Sequence, residues 1–576
     1  MTEVNEAYAS YRVAPPKAPS RTLAWNVYGK GVESVGRDGR PEWVDVAVPS
    51  KDQILVRVDA VGLCFSDVKL IRLGGEHPKL YGRDLRTHPT RLGHETAVTV
   101  VTVGSDLAGR FHPGQRLAIQ PDIYSGGRST AYGYTIPGGL IGYHVLGPEV
   151  LAADDGAYVI EVGDQLGYAE TALTEPWACV EAAYTQRRRL RPAVGGRASI
   201  AGRPDDDRSY DFGSALADAR EIVLSGLRDD VAAAVRSSAP RAAVVVADRD
   251  HVTGPFDDII LLGPRSASFV SLASDALAFR GVLNLVGDEP LDGPVDIDIG
   301  RIHYHYTAYV GTRGPDVSAS YGEARNRAEL RSGGVALFIG AAGPMGQMHL
   351  ERALKMANGP GTLIGVDLDR ERLATARRHL DPIATALGKR LVMTTAASEE
   401  ELTMLVARET KGRGADDVVV TAPTATAVTQ AARVMAGDAM LVLFAGLPVG
   451  TRAALDLSRV FLQGAQYTGT SGSRIADQDL VVQKTLAGEL SPAHAVAAVG
   501  GIEAAADGLR SLVEGRFAGK IVIFPQLRGL PLTSIEDLAT TDPELGAALG
   551  AGGTWTQEAE AVLFAKHLEP TAIASA

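Results

Sequence analysis

Cysteine is nearly absent from this chain of 576 residues, which holds only Cys64 and Cys179. Two thiols exclude a disulfide framework and a four-cysteine zinc lobe, and they fit a reducing cytoplasm. Aromatic residues are few, at 6%, and no apolar run approaches the length of a membrane span. Positive charge is in deficit: the net charge is −12, spread along the chain and not gathered in blocks. That balance argues against nucleic acid and anionic membranes as partners. Residues 1–20 are polar and proline-bearing, with no apolar signal-peptide core, and read as a loose arm. What is present is a globular composition, 45% hydrophobic, on a length that suits about three domains.

The most informative stretch is Gly340-Ala-Ala-Gly343-Pro344-Met345-Gly346. The apolar run Val335-Ala-Leu-Phe-Ile339 precedes it, and a helix-forming stretch follows over 347–357. A second apolar run, Thr362-Leu-Ile-Gly-Val366, then ends on Asp367. Strand, glycine turn, helix and strand with a terminal acid predict a dinucleotide site. The turn and helix N-terminus would meet a pyrophosphate, and Asp367 a ribose diol. Ala341 stands where the common fingerprint has its first glycine, with Gly340 one place early. A carboxylate at Asp367 would repel a 2′-phosphate, so NAD(H) is expected, and NADP(H) less so.

From about residue 22 to 162 short β-rich segments are punctuated by glycine and proline, which suggests a small β-barrel. Helix and strand alternate from about 190 to 524, the mark of parallel α/β layers. This region contains an internal duplication. Asp298-Ile-Gly-Arg301 matches Asp456-Leu-Ser-Arg459, and Tyr309-Val-Gly-Thr312 matches Tyr467-Thr-Gly-Thr470, both at an offset of 158. Asp257-Asp258 and Asp416-Asp417 agree at 159. The first copy replaces the glycine turn by Arg203-Pro-Asp-Asp-Asp-Arg208 and ends its second strand on Ser225-Gly226 without the ribose acid. It reads as a copy that kept its fold and lost its ligand.

A second constellation lies in the β-rich half: Cys64-Phe-Ser66-Asp67, Gly93-His94-Glu95 and Glu175-Pro-Trp-Ala-Cys179. Thiolate, imidazole and carboxylate are all zinc ligands, and a catalytic zinc needs three of them plus an open position. Together with the glycine turn, these motifs resemble the medium-chain zinc-dependent alcohol dehydrogenases, in the branch of sorbitol, threonine and sugar-phosphate dehydrogenases. The resemblance covers roughly 23–186 and 333–525. It implies a GroES-like barrel completed by the C-terminal segment and joined to a Rossmann domain, with catalysis in the cleft. It also implies Cys64 and His94 as zinc ligands, Glu95 and Glu175 as carboxylates that ligate directly, through water or in alternation, and Ser66 as the proton relay. Asp67 would orient His94 from behind. Lys69 stands where many members carry a relay histidine, and 120–139 holds no cysteine for a structural zinc. One catalytic Zn2+ and no structural zinc are therefore expected.

The expected architecture is α/β: a GroES-like β-barrel plus two tandem Rossmann-like doubly wound domains, the first degenerate. Its parts are an arm (1–20), a catalytic domain (21–187), the degenerate copy (188–332), the NAD-binding copy (333–472), a returning segment (473–525) and an extension (526–576) left without a function. The expected activity is hydride transfer between NAD(H) and a secondary alcohol or ketone of polyol, sugar, cyclitol or sugar-phosphate type. Rival readings are an epimerase or lyase that retains its NAD, and a non-catalytic nucleotide-binding sensor. The expected partner is a small molecule with an alcohol or carbonyl, with a homo-oligomer allowed. Residues 190–314 are expected to pair with the second copy's sheet edge within one chain.

Overall fold

The computed structural model describes residues 2–13, 18–248 and 252–568. Two six-stranded parallel sheets dominate it. In the second copy the sheet is built on Val335–Ile339, with Thr362–Val366 on one side and Ala415–Val420 on the other. Arg390–Thr394 lies beyond the former. Met435–Leu443 and Gln466–Gly469 extend the latter. Numbered along the chain, this is the doubly wound order 3-2-1-4-5-6. The first copy has the same order, built on Arg197–Ala201 with Glu221–Ser225 and Phe256–Leu262 as neighbours. The fold class is thus the one the sequence predicts.

The repeated motifs have a shared structural cause. In the second copy Arg459 donates to the carbonyls of Ala432 and Met435, closing the end of the helix Ala425–Arg433. Arg301 makes the equivalent bonds in the first copy, to Ser274, Asp275 and Leu277 at the end of Ala267–Asp275. The paired aspartates also recur for a reason. Asp258 accepts from Arg189 and Ala193 N, while Asp417 accepts from Arg327 and Arg331 N. Each ties the sheet to the segment that enters its copy.

The two sheets do not share a hydrogen-bonded edge, which corrects the expected pairing. Their outer strands, Ala308–Thr312 and Gln466–Gly469, abut without a ladder, and hydrogen bonding runs instead through a separate antiparallel ribbon. There Val295–Asp298 pairs with Arg452–Leu455. The joint is pseudo-symmetric: Phe461 of the second copy packs on Gly311 of the first, and His303 of the first on Gly469 of the second. Side chains fill the seam because these crossing helices, Ile299–Tyr304 and Ser458–Leu462, stand between the strands and their partners.

The β-rich half forms an eight-stranded sheet around Ile54–Leu63 and Glu95–Val103. Three of its strands, Val496–Gly501, Lys520–Phe524 and Thr533–Ser534, come from far along the chain. The expected loose arm is instead the helix Thr2–Val13, packed on the helix Gln557–His567. Tyr8 donates to the buried Glu560, whose carboxylate also accepts from the N–H groups of Tyr168 and Ala169. A carboxylate at a helix start satisfies its free donors and favours its dipole, which anchors the first and last described helices to the catalytic half.

Candidate functional site

The strand Ile54–Leu63 runs straight into the helix Phe65–Leu73, with Cys64 as its N-cap. Asp67, one turn in, accepts from Cys64 N at 2.9 Å and lies 3.2 Å from His94 Nδ1. A carboxylate only accepts, so Nδ1 carries the proton and Nε2 is free to bind a metal. Burial opposes charge on His94, but Asp67 and Tyr134 hold its pKa well above the usual imidazole range, so a metal at Nε2 would bind by displacing a proton from that nitrogen.

Cys64, His94 and Glu95 each bring one ligand atom to within 4.8 Å of the others. Glu95 is fully buried, and Lys520 Nζ lies 2.5 Å from its Oε1. Its other oxygen, Oε2, is buried without a partner. Gly62 makes room for that oxygen, because a Cβ there would stand 2.1 Å from it. A thiol, an imidazole and a buried carboxylate with one orphaned oxygen form a donor set that fits zinc. Glu175 lines the same cleft, 3.7 Å from the Cys179 thiol, but is outside the three-atom cluster. Burial and the neighbouring Glu95 raise its pKa to about 7, against the pull of His94. Ser66 lies on the cleft wall one residue before Asp67.

The glycine turn opens on the opposite wall. Gly340 has φ +84° and a Cβ there would clash with Thr421 and Ala422, so this early glycine takes the tight-turn position. Gly346 packs on Gly340 O, at 2.3 Å from an added Cβ, which holds the helix Pro344–Lys355 against the turn. Gly343 is the helix N-cap and is open on its outer side, where Pro344 and Met345 line the cleft with it. Asp367 ends its strand with Oδ2 bonded to Ala342 N at 2.9 Å. Metal-type donors and dinucleotide turn therefore border one cleft of about 2060 Å³. Single-ligand pockets are usually about 300–1,000 Å³, so this one has room for a cofactor and a substrate.

Sequence reasoning missed four participants. Lys520, which neutralises Glu95, is a lone lysine from a distant strand. Arg372, with Nε buried and unpartnered, reaches toward Gly343. His303 and Tyr304 line the cleft from the first copy. The only signal for the last pair was a mismatch within an otherwise matching repeat.

Comparison with known proteins agrees with this geometry. Residues 50–182 match the alcohol dehydrogenase GroES-like domain. The fold and the site's residue types resemble those of the medium-chain dehydrogenases, and residues 50–182 carry the GroES-like domain of that class. It is 25% identical to the L-sorbose 1-phosphate reductase of Klebsiella pneumoniae, over 95% of this chain and 98% of that one. It is 23% identical to the uncharacterized protein YggP of Escherichia coli K12, over 95% and 97%. Matches of that extent take in the first copy. Among solved structures, the 2R,3R-butanediol dehydrogenase of Bacillus subtilis aligns with a TM-score of 0.50 at 15% identity, over 88% of this chain and 99% of that one. No helix among the described residues is long and apolar enough to cross a membrane.

Proposed function

We propose that the protein is a zinc-dependent oxidoreductase that moves a hydride between NAD(H) and a secondary alcohol or ketone of polyol, sugar or sugar-phosphate type. The observation that carries this reading is the convergence of Cys64, His94 and Glu95 beside the Gly340–Gly346 turn in one cleft. A relative named for reduction of a sugar phosphate, matched end to end, supports the substrate class.

When bound, the metal and nicotinamide supply Lewis-acid polarisation of the substrate oxygen and the hydride acceptor or donor. Cys64 and His94 would hold the ion, with Glu95 and Glu175 as the carboxylates available to it. Asp67 keeps the His94 proton on Nδ1 and turns Nε2 toward the cleft. Lys520 pairs with the fully buried Glu95 and so supplies a counter-charge inside the protein. Ser66 takes the substrate hydroxyl proton and passes it outward, a role worth about 10²–10⁴-fold in rate. Gly343 leaves backbone N–H groups open to the pyrophosphate, and Asp367 holds the adenosine ribose.

Metal analysis of the purified protein, followed by an NAD-linked screen of polyols and their phosphates, tests the reading. Cys64→Ala should strip the metal and turnover while NADH still binds. Turnover surviving in metal-free protein would refute the zinc role. Product forming without accumulation of reduced cofactor would move the assignment to an enzyme that retains its NAD.

A further inference from the structure

The helix Ile299–Tyr304 of the first copy ends at the wall of the cleft. His303 is buried there, with Nδ1 3.1 Å from the Leu443 carbonyl. A carbonyl only accepts, so His303 carries its proton on Nδ1 and presents Nε2 as an acceptor. Burial and the nearby Lys69 lower its pKa to about 4, so it is neutral at pH 7.

Three polar ends meet around Gly446, in the loop after the strand Met435–Leu443. A methyl group on Gly446 would stand 2.8 Å from the Tyr304 hydroxyl oxygen, 3.0 Å from Lys69 Nζ and 3.6 Å from His303 Nε2. Lys69 comes from the catalytic half and His303 and Tyr304 from the first copy, and they meet at a loop of the second. Lys69 donates to Gly446 O at 3.0 Å and faces no carboxylate within ion-pair distance among the described residues. The other two lysines on the cleft wall are neutralised, Lys79 by Asp122 and Lys520 by Glu95. His77, on the same side, is also neutral, its pKa lowered to about 4 by burial, Lys79 and Lys69. Lys69 is thus a half-buried cation with spare donors and no counter-charge, an arrangement that an anion would satisfy. It lies one helical turn from Ser66, about 5–6 Å between Cβ atoms, within the span of a short sugar chain.

The pseudo-symmetry sharpens this. At the offset of 158, His303 and Tyr304 correspond to Phe461 and Leu462. Phe461 makes the mirrored contact, its ring 3.4 Å from where a Cβ on Gly287 would stand. Facing the copy without a glycine turn, the position is apolar; facing the copy that has one, it is imidazole and phenol. Packing alone would accept Phe and Leu on both sides.

We propose that Lys69, Tyr304 and His303 form a subsite for a phosphate ester on the substrate, completed by the first copy. The ammonium and the phenol donate to phosphate oxygens, and His303 Nε2 accepts from a substrate hydroxyl. The subsite rests on the dehydrogenase reading for its place in a reaction, but anion binding is measurable without turnover.

Inorganic phosphate is titrated calorimetrically into the full chain with NADH present, so that the glycine turn is filled. Lys69→Met and Tyr304→Phe should each weaken binding about tenfold or more, as expected for a lost hydrogen bond to a charged group. Cys64→Ala should retain it. In turnover, Lys69→Met should lower kcat/KM for a polyol phosphate about tenfold more than for the unphosphorylated polyol, mainly through KM. Phosphate affinity unchanged in both variants, or equal losses on both substrates, would overturn the subsite. Phosphate binding that depends on Lys69 in a protein that oxidises no alcohol would overturn the dehydrogenase reading alone.

Discussion

Between Val335–Ile339 and Thr362–Val366 the second copy runs a glycine turn and the helix Pro344–Lys355. Between Arg197–Ala201 and Glu221–Ser225 the first copy has no α-helix at all. The sheet face there is covered instead by Phe212 and Leu216, both almost fully buried. The loop that replaces the turn is held by its own charges, with Asp206 bound by Arg208 and Tyr210 and its carbonyl by Arg228. A doubly wound sheet therefore survives the loss of a helix if other apolar groups cover it. A phosphate site does not, because it consists of that turn and helix start. The contrast also separates two uses of one fold, a cofactor platform and a wall for someone else's cleft.

The strongest way to break this comparison is Gly346→Val. An added Cβ would meet backbone at 2.3 Å, so NADH affinity should fall about 100-fold. The reciprocal change, Ser225→Asp in the first copy, should leave binding at one NADH per chain, because an acid without turn or helix is no site. Two NADH per chain by calorimetry would show that the first copy is not degenerate. Next in size is Phe461→Ala at the joint. Phe461 is fully buried, and its truncation should cost about 3–5 kcal/mol in chemical denaturation. A two-step transition would then reveal the copies parting. The smallest effect concerns the replaced loop. Burial opposes ionisation of Asp206, but Arg208 and Tyr210 lower its pKa to about 2. Its folded pKa is below the unfolded value of about 3.9. The stability it lends is full above that value and is lost as pH falls toward 2. Asp206→Asn should flatten acid unfolding over that window, seen by circular dichroism.

Local patterns were legible. The strands on either side of the glycine turn were read to the residue, because apolar runs, a positive-φ glycine and a helix start are all short-range signals. The metal-type motifs and their convergence were legible only through resemblance, since Cys64 and Glu95 meet only when their strands pair. Lys520 reached Glu95 from 425 residues away, with nothing local to mark it. The helix Thr2–Val13 was missed because its packing partner is at the other end of the chain.

By itself the sequence determined the duplication, the loss of the glycine turn from one copy, and the residue types able to hold a metal and a dinucleotide. Each of these is written in spacing or in single side chains. Only the tertiary structure decided that the two sheets meet through a ribbon and crossing helices, and that His303 and Tyr304 of the copy without a glycine turn border the cleft of the one that has it. Contacts of that range depend on how surfaces fit after each part has folded, and no local pattern records them.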